Sequence, residues 1–248
     1  MKKKNKHILA VIVQCRKSIT RLKKKLLLKI GKQKIIDILL NRIKKIHSDL
    51  IFCAVAKEPR NKSLLKAIKQ NNVAIYEGSK NNVLLRTYRA AKKFKVNTII
   101  RITSDQPLID PKLVNIGIKI FNKKNLDYLS NNLSPSWPHG LDFEIFSFDA
   151  LKKSLKKAKT LTEKEHVTVY MRKNKNMKKF NLKNSIRLDK YYRWTIDTKL
   201  DFIFLKKLFQ SRPQLKYNFN WMDLFIFLKK KSNLQSINTS SHHFNFKE

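Results

Sequence analysis

Thr98-Ile-Ile-Arg-Ile-Thr-Ser-Asp-Gln-Pro-Leu-Ile-Asp-Pro111 decides the fold. Thr98 to Ile102 reads as a buried strand. Pro111 presets the backbone for the first turn of a helix, and Asp110 before it suits the N-cap. The stretch is therefore strand, loop, helix. Asp105 sits in the loop, just past the strand's carboxyl end.

The same alternation extends outward in both directions. Ile8 to Val13 is a short apolar run without helical period, so it reads as a strand. The basic segment from Gln14 to Lys25 follows as a loop, and Gly31 marks a turn. Lys34 to Ile46 carries Ile35, Ile36, Leu39, Leu40 and Ile43, the spacing of a one-sided helix. Leu50 to Ala56 is another apolar run, 61 to 71 a helix and Val73 to Tyr76 a short strand. A helix over 81 to 94 leads into the stretch quoted above. Strands alternating with helices predict βαβ units and a mainly parallel sheet with helices on both faces. Functional loops of such a sheet lie at the carboxyl ends of its strands. The loops at 14–25, 56–59 and 103–111 lie there.

Beyond Pro111 the pattern is less regular. A helix is expected over 111–122 and strands over 126–130 and 142–148. An ordered loop with Pro135, Pro138 and Gly140 lies between those strands. Asp149 is a suitable cap for a helix over 149–157. Trp194 to Ile196 reads as a short strand and Leu200 to Phe209 as a helix. One domain over 1–231 is expected, with 232–248 a loosely ordered polar tail.

Composition narrows the function classes. Of 248 residues, 42% are hydrophobic, too many for a disordered chain. No run approaches the roughly 18 apolar residues of a membrane span. The apolar run at 8–13 is too short for a signal peptide, and only Cys15 and Cys53 are present, so a reducing cytoplasmic setting is expected. The 56 Lys and Arg against 17 Asp and Glu give a net charge of +39. Such a charge raises the question of nucleic acid. The lysines are spread through nearly every segment, however, and no recognition-helix, zinc or aromatic-platform pattern accompanies them. An AT-rich coding sequence, which enriches Lys, Asn, Ile and Phe, is the preferred explanation, and nucleic-acid binding ranks below it.

Several segments are able to carry chemistry. Arg16, Arg21 and Lys25 in the first loop offer donors to a triphosphate; a solvated basic loop is the plainer alternative. Asp105 suits an octahedral Mg²⁺ site completed by phosphate oxygens and water, and equally a loop hydrogen bond. Asp197, after Trp194-Thr-Ile, is either a second metal ligand or a helix cap, and Asp201 is structural. Asp142 and Glu144, two apart on an expected strand, point to one face. Glu165, His166 and Thr168 form a further polar group.

In this order the segments resemble one family. Arg101-Ile-Thr-Ser-Asp-Gln-Pro-Leu-Ile-Asp-Pro111, Gly140-Leu-Asp-Phe-Glu144, Glu165-His-Val-Thr168 and Arg193-Trp-Thr-Ile-Asp-Thr198 are similar to cytidylyltransferases of the spore-coat polysaccharide biosynthesis protein F type. These are relatives of the 3-deoxy-manno-octulosonate and acylneuraminate cytidylyltransferases. The likeness runs from Ile8 to Leu228. It implies a Rossmann-like nucleotide-diphospho-sugar transferase fold and Mg²⁺-dependent transfer of CMP from CTP to a sugar, with release of pyrophosphate. It implies Gln14, Arg16, Thr20, Arg21 and Lys25 at the nucleotide, Asp105 and Asp197 on Mg²⁺, and Asp142, Glu144, His166 and Thr168 at the sugar. Arg16, Lys25 and Asp105 would be catalytic, and a homodimer is a family habit. The first loop departs from the family: Ser18-Ile19 stands for Gly-Ser and Lys23-Lys24 for Pro-Gly. Ser104 stands for a Gly, Ala56-Lys57 for a Thr-Ser type pair, and Asn82 and Leu85 for acidic residues. A relative using another nucleotide or a sugar 1-phosphate, or one that binds without catalysis, is the alternative.

Overall fold

The protein is described by a computed structural model, covering residues 6–15, 22, 24–216 and 218–239. Its strands are β1 (Leu9–Cys15), β2 (Lys29–Ile30), β3 (Gln33–Lys34), β4 (Leu50–Ala56), β5 (Ala74–Gly78), β6 (Thr98–Thr103), β7 (Tyr128–Ser130), β8 (Glu144–Ser147) and β9 (Lys179–Asn181). The helices are α1 (Ile35–Ile43), α2 (Lys62–Gln70), α3 (Val83–Lys93), α4 (Pro111–Lys123), α5 (Phe148–Lys157), α6 (Leu161–Glu165), α7 (Val169–Lys173), α8 (Lys199–Ser211), α9 (Trp221–Lys229) and α10 (Ser232–Gln235).

Seven strands form one sheet in the order β5-β4-β1-β6-β8-β7-β9. Only β8 runs against the rest, pairing antiparallel with β6 and β7. β1 lies between β4 and β6, parallel to both. Its side chains alternate between two cores. Val11, Val13 and Cys15 join the cluster under α1, α4, α8 and α9, while Ala10 and Ile12 join the cluster under α3, α5 and α7. A strand buried on both faces has no polar side to show, which is why β1, β4 and β6 read as mainly apolar runs.

The helices start where local chemistry stops the preceding loop. Asp110 accepts from the Lys112 amide at 2.8 Å, as a cap of α4 should. It also accepts from the Trp221 amide at 2.8 Å, tying the start of α9 to the start of α4. Gly31, at φ 63°, turns the β2–β3 hairpin.

Four expectations change. The strand expected over 142–148 spans only Glu144–Ser147, because the Ser147 hydroxyl accepts from the Ala150 amide and caps α5 in place of Asp149. Trp194–Ile196 is buried but forms no strand: the Ile196 amide donates to Asp105 O rather than to a sheet edge. Gln14 belongs to β1, not to the loop. Of the expected tail, the described residues 232–239 pack on the domain, and 240–248 lie outside the described residues. Ser232–Gln235 is helical, and Asn238, 1% exposed, donates to Arg193 O and the Asp201 carboxylate, which holds the segment against α8. The apolar stretch from Phe219 to Leu228 packs on the core through Phe219, Leu224 and Leu228. No helix among the described residues is long and apolar enough to cross a membrane.

Candidate functional site

The carboxyl ends of β1, β6 and β7 and the start of antiparallel β8 meet at one edge of the sheet. A cavity of about 500 Å³ opens there, lined among others by Asp105, Asp197, Asp142, His139, Arg101 and Arg172.

Its acidic part is assembled by backbone stitching. Asp105 O accepts from the Ile196 amide at 2.9 Å and from Thr195 Oγ1 at 2.8 Å, so the loop after β6 and the segment before α8 are fixed together. Gly140 locks that segment from the other side. It sits at φ 110°, and a Cβ there would meet the Trp194 carbonyl carbon at 2.5 Å, so only glycine fits.

The Asp197 carboxylate is held from two directions. Lys25 Nζ donates to Oδ1 at 2.6 Å and Arg193 Nη2 to Oδ2 at 3.1 Å. Arg193 is itself buried and makes a second, forked pair with Asp201 at 2.9 and 3.1 Å. Asp201 also accepts from the amides of Asp197 and Thr198, both at 2.9 Å. Thr198 is the N-cap of α8, which leaves the Asp197 carboxylate turned to the cavity instead of spent on the helix. Lys25 Nζ stands 3.6 Å from Asp105 Oδ2 and donates to Ile196 O at 2.8 Å. Asp105 and Asp197 thus converge on one cationic group.

That convergence is a test of whether a divalent ion fits. Among the described residues no cluster of three or more His, Cys, Asp or Glu exists. Mg²⁺ does not need one, since it binds through one or two carboxylates with phosphate oxygens and water completing its octahedron. Two carboxylates already gathered around a cation meet that need.

The cavity floor is a second network. Glu144 accepts from Arg101 Nε at 2.6 Å and also from Arg101 Nη2, from Tyr128 OH at 2.5 Å and from Thr168 Oγ1 at 2.6 Å. Burial alone would raise this carboxyl, but Arg101, Arg172, Thr168 and Tyr128 outweigh it and hold it below the ordinary range. Arg101 continues the chain to Gln14 Oε1 at 2.7 Å. His139 faces Asp142 at 3.4 Å; burial works to lower the imidazole, and Asp142 more than offsets this, leaving it raised.

The expected residues divide four ways. Lys25, Asp105 and Asp197 come together as a single cluster. Asp142, Glu144, His166 and Thr168 all line the cavity, although Asp142 precedes β8 and Glu144 is occupied by four protein donors. Gln14 is fully buried beneath them. Arg16, Thr20 and Arg21 lie outside the described residues. Sequence reasoning assigned no role to Arg193, Arg101, His139 or Arg172. A charged residue inside the apolar run of β6 was a signal for Arg101; in so basic a chain nothing distinguished Arg172.

Comparison with known proteins agrees with this architecture. A family model described as cytidylyltransferase matches residues 10–224. An uncharacterized protein of Methanocaldococcus jannaschii is 35% identical over 241 residues, 96% of this chain and 97% of that one. The spore coat polysaccharide biosynthesis protein SpsF of Bacillus subtilis is 29% identical over 210 residues, covering 81% and 85%. The solved structure of a cytidylyltransferase from Leptospira borgpetersenii superposes with a TM-score of 0.86 at 28% identity, over 92% of this chain and 97% of that one.

Proposed function

Because this chain belongs to the cytidylyltransferase family of nucleotidyltransferases, we propose that it transfers CMP from CTP to a sugar hydroxyl, with Mg²⁺ bound and pyrophosphate released. The observation that carries this reading is the convergence of Asp105 and Asp197 on one cation at the mouth of a cavity large enough for a sugar. Asp105 and Asp197 would hold the ion, whose positive charge offsets the negative charge of the phosphates. Lys25, with Arg16, Thr20 and Arg21, binds the triphosphate, and Arg16, Lys25 and Asp105 act at the reacting phosphate. Asp142, His166 and Thr168 face the sugar, and Glu144 holds Thr168 and Arg101 in place beneath it. The sugar hydroxyl attacks the α-phosphate in line, so the protein's work is positioning and charge neutralisation. The SpsF relative's name supports a product destined for a surface polysaccharide.

Pyrophosphate release from CTP and Mg²⁺ over a panel of neutral and acidic sugars tests this. Release that needs one sugar and is lost in Asp105→Asn is the expected result. No release with any sugar or nucleoside triphosphate, together with no calorimetric binding of CTP·Mg²⁺, overturns it.

A further inference from the structure

The match to the cytidylyltransferase family ends at residue 224, and Asn238 lies beyond it. Resting on the reading of Asp197 as part of the metal and nucleotide seat, we infer that Asn238 is a positioning residue of that seat, setting the Asp197 carboxylate through Arg193 and Asp201. Asn238 is buried, and its Nδ2 donates to Arg193 O and to Asp201 Oδ1, both at 2.9 Å. An amide nitrogen carries two hydrogens, and both go to the stretch that bears Asp197.

The two acceptors stand at the ends of the stretch 193–201, with Asp197 midway between them. Each end holds Asp197 in turn. Arg193 Nη2 donates to Asp197 Oδ2 at 3.1 Å, which fixes the carboxylate. Asp201 Oδ2 accepts from the Asp197 amide at 2.9 Å, which fixes the backbone beneath it. Arg193 and Asp201 are joined to each other by the fork at 2.9 and 3.1 Å. Asn238 therefore closes a ring whose other members bear directly on Asp197. Capping α8 does not require it, because Thr198 and Asp201 form the capping box by themselves. The clamp reaches past the helix to a carboxylate that lines the cavity. The side chains of Arg193 and Asp201 are 1% and 0% exposed, so water does not take over a bond that the amide gives up. Deleting the amide loosens both ends of the stretch at once, and Asp197 with them.

Calorimetric binding of CTP·Mg²⁺ to the full chain, well below its melting temperature, tests this. Asn238→Ala deletes both bonds and leaves Leu234, the buried apolar anchor of α10, in place. It should bind CTP·Mg²⁺ about tenfold weaker than the wild type, in the usual range of coupling between linked sites. Ile68→Val takes a buried methyl from α2, outside the stretch, and lowers the melting temperature as well. Its affinity should stay within about twofold of the wild type, as expected for an independent site. An Asn238→Ala affinity that also stays within about twofold makes the amide mere packing and overturns the inference. An equal loss in Ile68→Val makes the effect one of general stability and overturns it too. A wild type that binds no CTP·Mg²⁺, or an Asp197→Asn variant that binds it as well as the wild type, instead overturns the reading of the seat. The wild type decides if Asn238→Ala does not fold. None of residues 232–239 lines the cavity, yet by linkage their amide hydrogen exchange, read by mass spectrometry, should slow several-fold in CTP·Mg²⁺. Exchange unchanged at saturating CTP·Mg²⁺ refutes the coupling.

Discussion

Glu144→Gln removes the charge at the centre of the cavity floor while keeping its volume. Glu144 is 8% exposed and its partner Arg101 12%, so the pair is close to fully withdrawn from water. Losing one member of a buried pair costs about 3–5 kcal/mol, most of it the cost of leaving the other charge uncompensated. Arg101 retains its bond to Gln14 Oε1, and slight exposure softens the cost, so we expect about 2–4 kcal/mol. In a chain of this length that lowers the melting temperature by roughly 5–15 °C. Urea unfolding at pH 7, followed by tryptophan fluorescence, measures it. The sharper test is Arg101→Met combined with Glu144→Leu. Replacing both charges with apolar groups leaves neither charge alone but takes a partner from the buried Tyr128 and Thr168 hydroxyls and from Gln14 Oε1. The double variant should therefore be less destabilised than the two single changes added together, without returning to wild-type stability. A Glu144→Gln loss under about 1 kcal/mol, or a double variant as unstable as the two single changes added together, refutes the reasoning.

Three further outcomes follow from the same geometry. Asp201→Asn breaks the fork from Arg193 and weakens the capping box of α8; it should cost about 2–4 kcal/mol in urea unfolding and lower kcat more than it raises KM for CTP. Lys24 holds φ 53°, a left-handed conformation, where the family pattern has glycine. Lys24→Gly relieves about 1 kcal/mol of strain, seen as a raised melting temperature. Glu144 and Asp201 both titrate below their ordinary 4.5 and 3.8 in the folded protein. Burial opposes this in both; Arg101 prevails at Glu144 and Arg193 at Asp201. The unfolded chain therefore takes up protons first as the pH drops. The stability from these groups is full above about pH 5 and is lost on descent through the folded values. The urea midpoint should hold from pH 7 to 5 and fall below, less steeply in Glu144→Gln.

The parallel half of the fold was legible because β1, β4 and β6 are buried on both faces, and burial leaves a mainly apolar run in the sequence, interrupted in β6 only by Arg101. β9 was not legible: Lys-Phe-Asn is a half-exposed edge whose pairing with β7 leaves no pattern. Trp194–Ile196 misled for the opposite reason. It is as apolar and buried as a strand, but its partner is a loop carbonyl rather than a neighbouring strand, and residue type does not encode the partner. Asp105 and Asp197 stood out as acids just past apolar segments in a chain poor in acids. What held them did not, because Arg193 acts through Asp201, and Arg101 reaches Glu144 across 43 residues of sequence. Such pairings are properties of the packed chain.

The buried amide of Asn238, clamped between Arg193 and Asp201, has a consequence in time. A ribosome adds roughly 5–20 residues each second, and Lys25 precedes Asp197 by 172 residues. The first half of the sheet is therefore made on the order of 10–30 s before the aspartate that completes its cluster. Asn238 comes later still. Until then, Asp105 and Lys25 belong to a surface without a finished site, and the nascent protein has no complete catalytic centre to present to nucleotide.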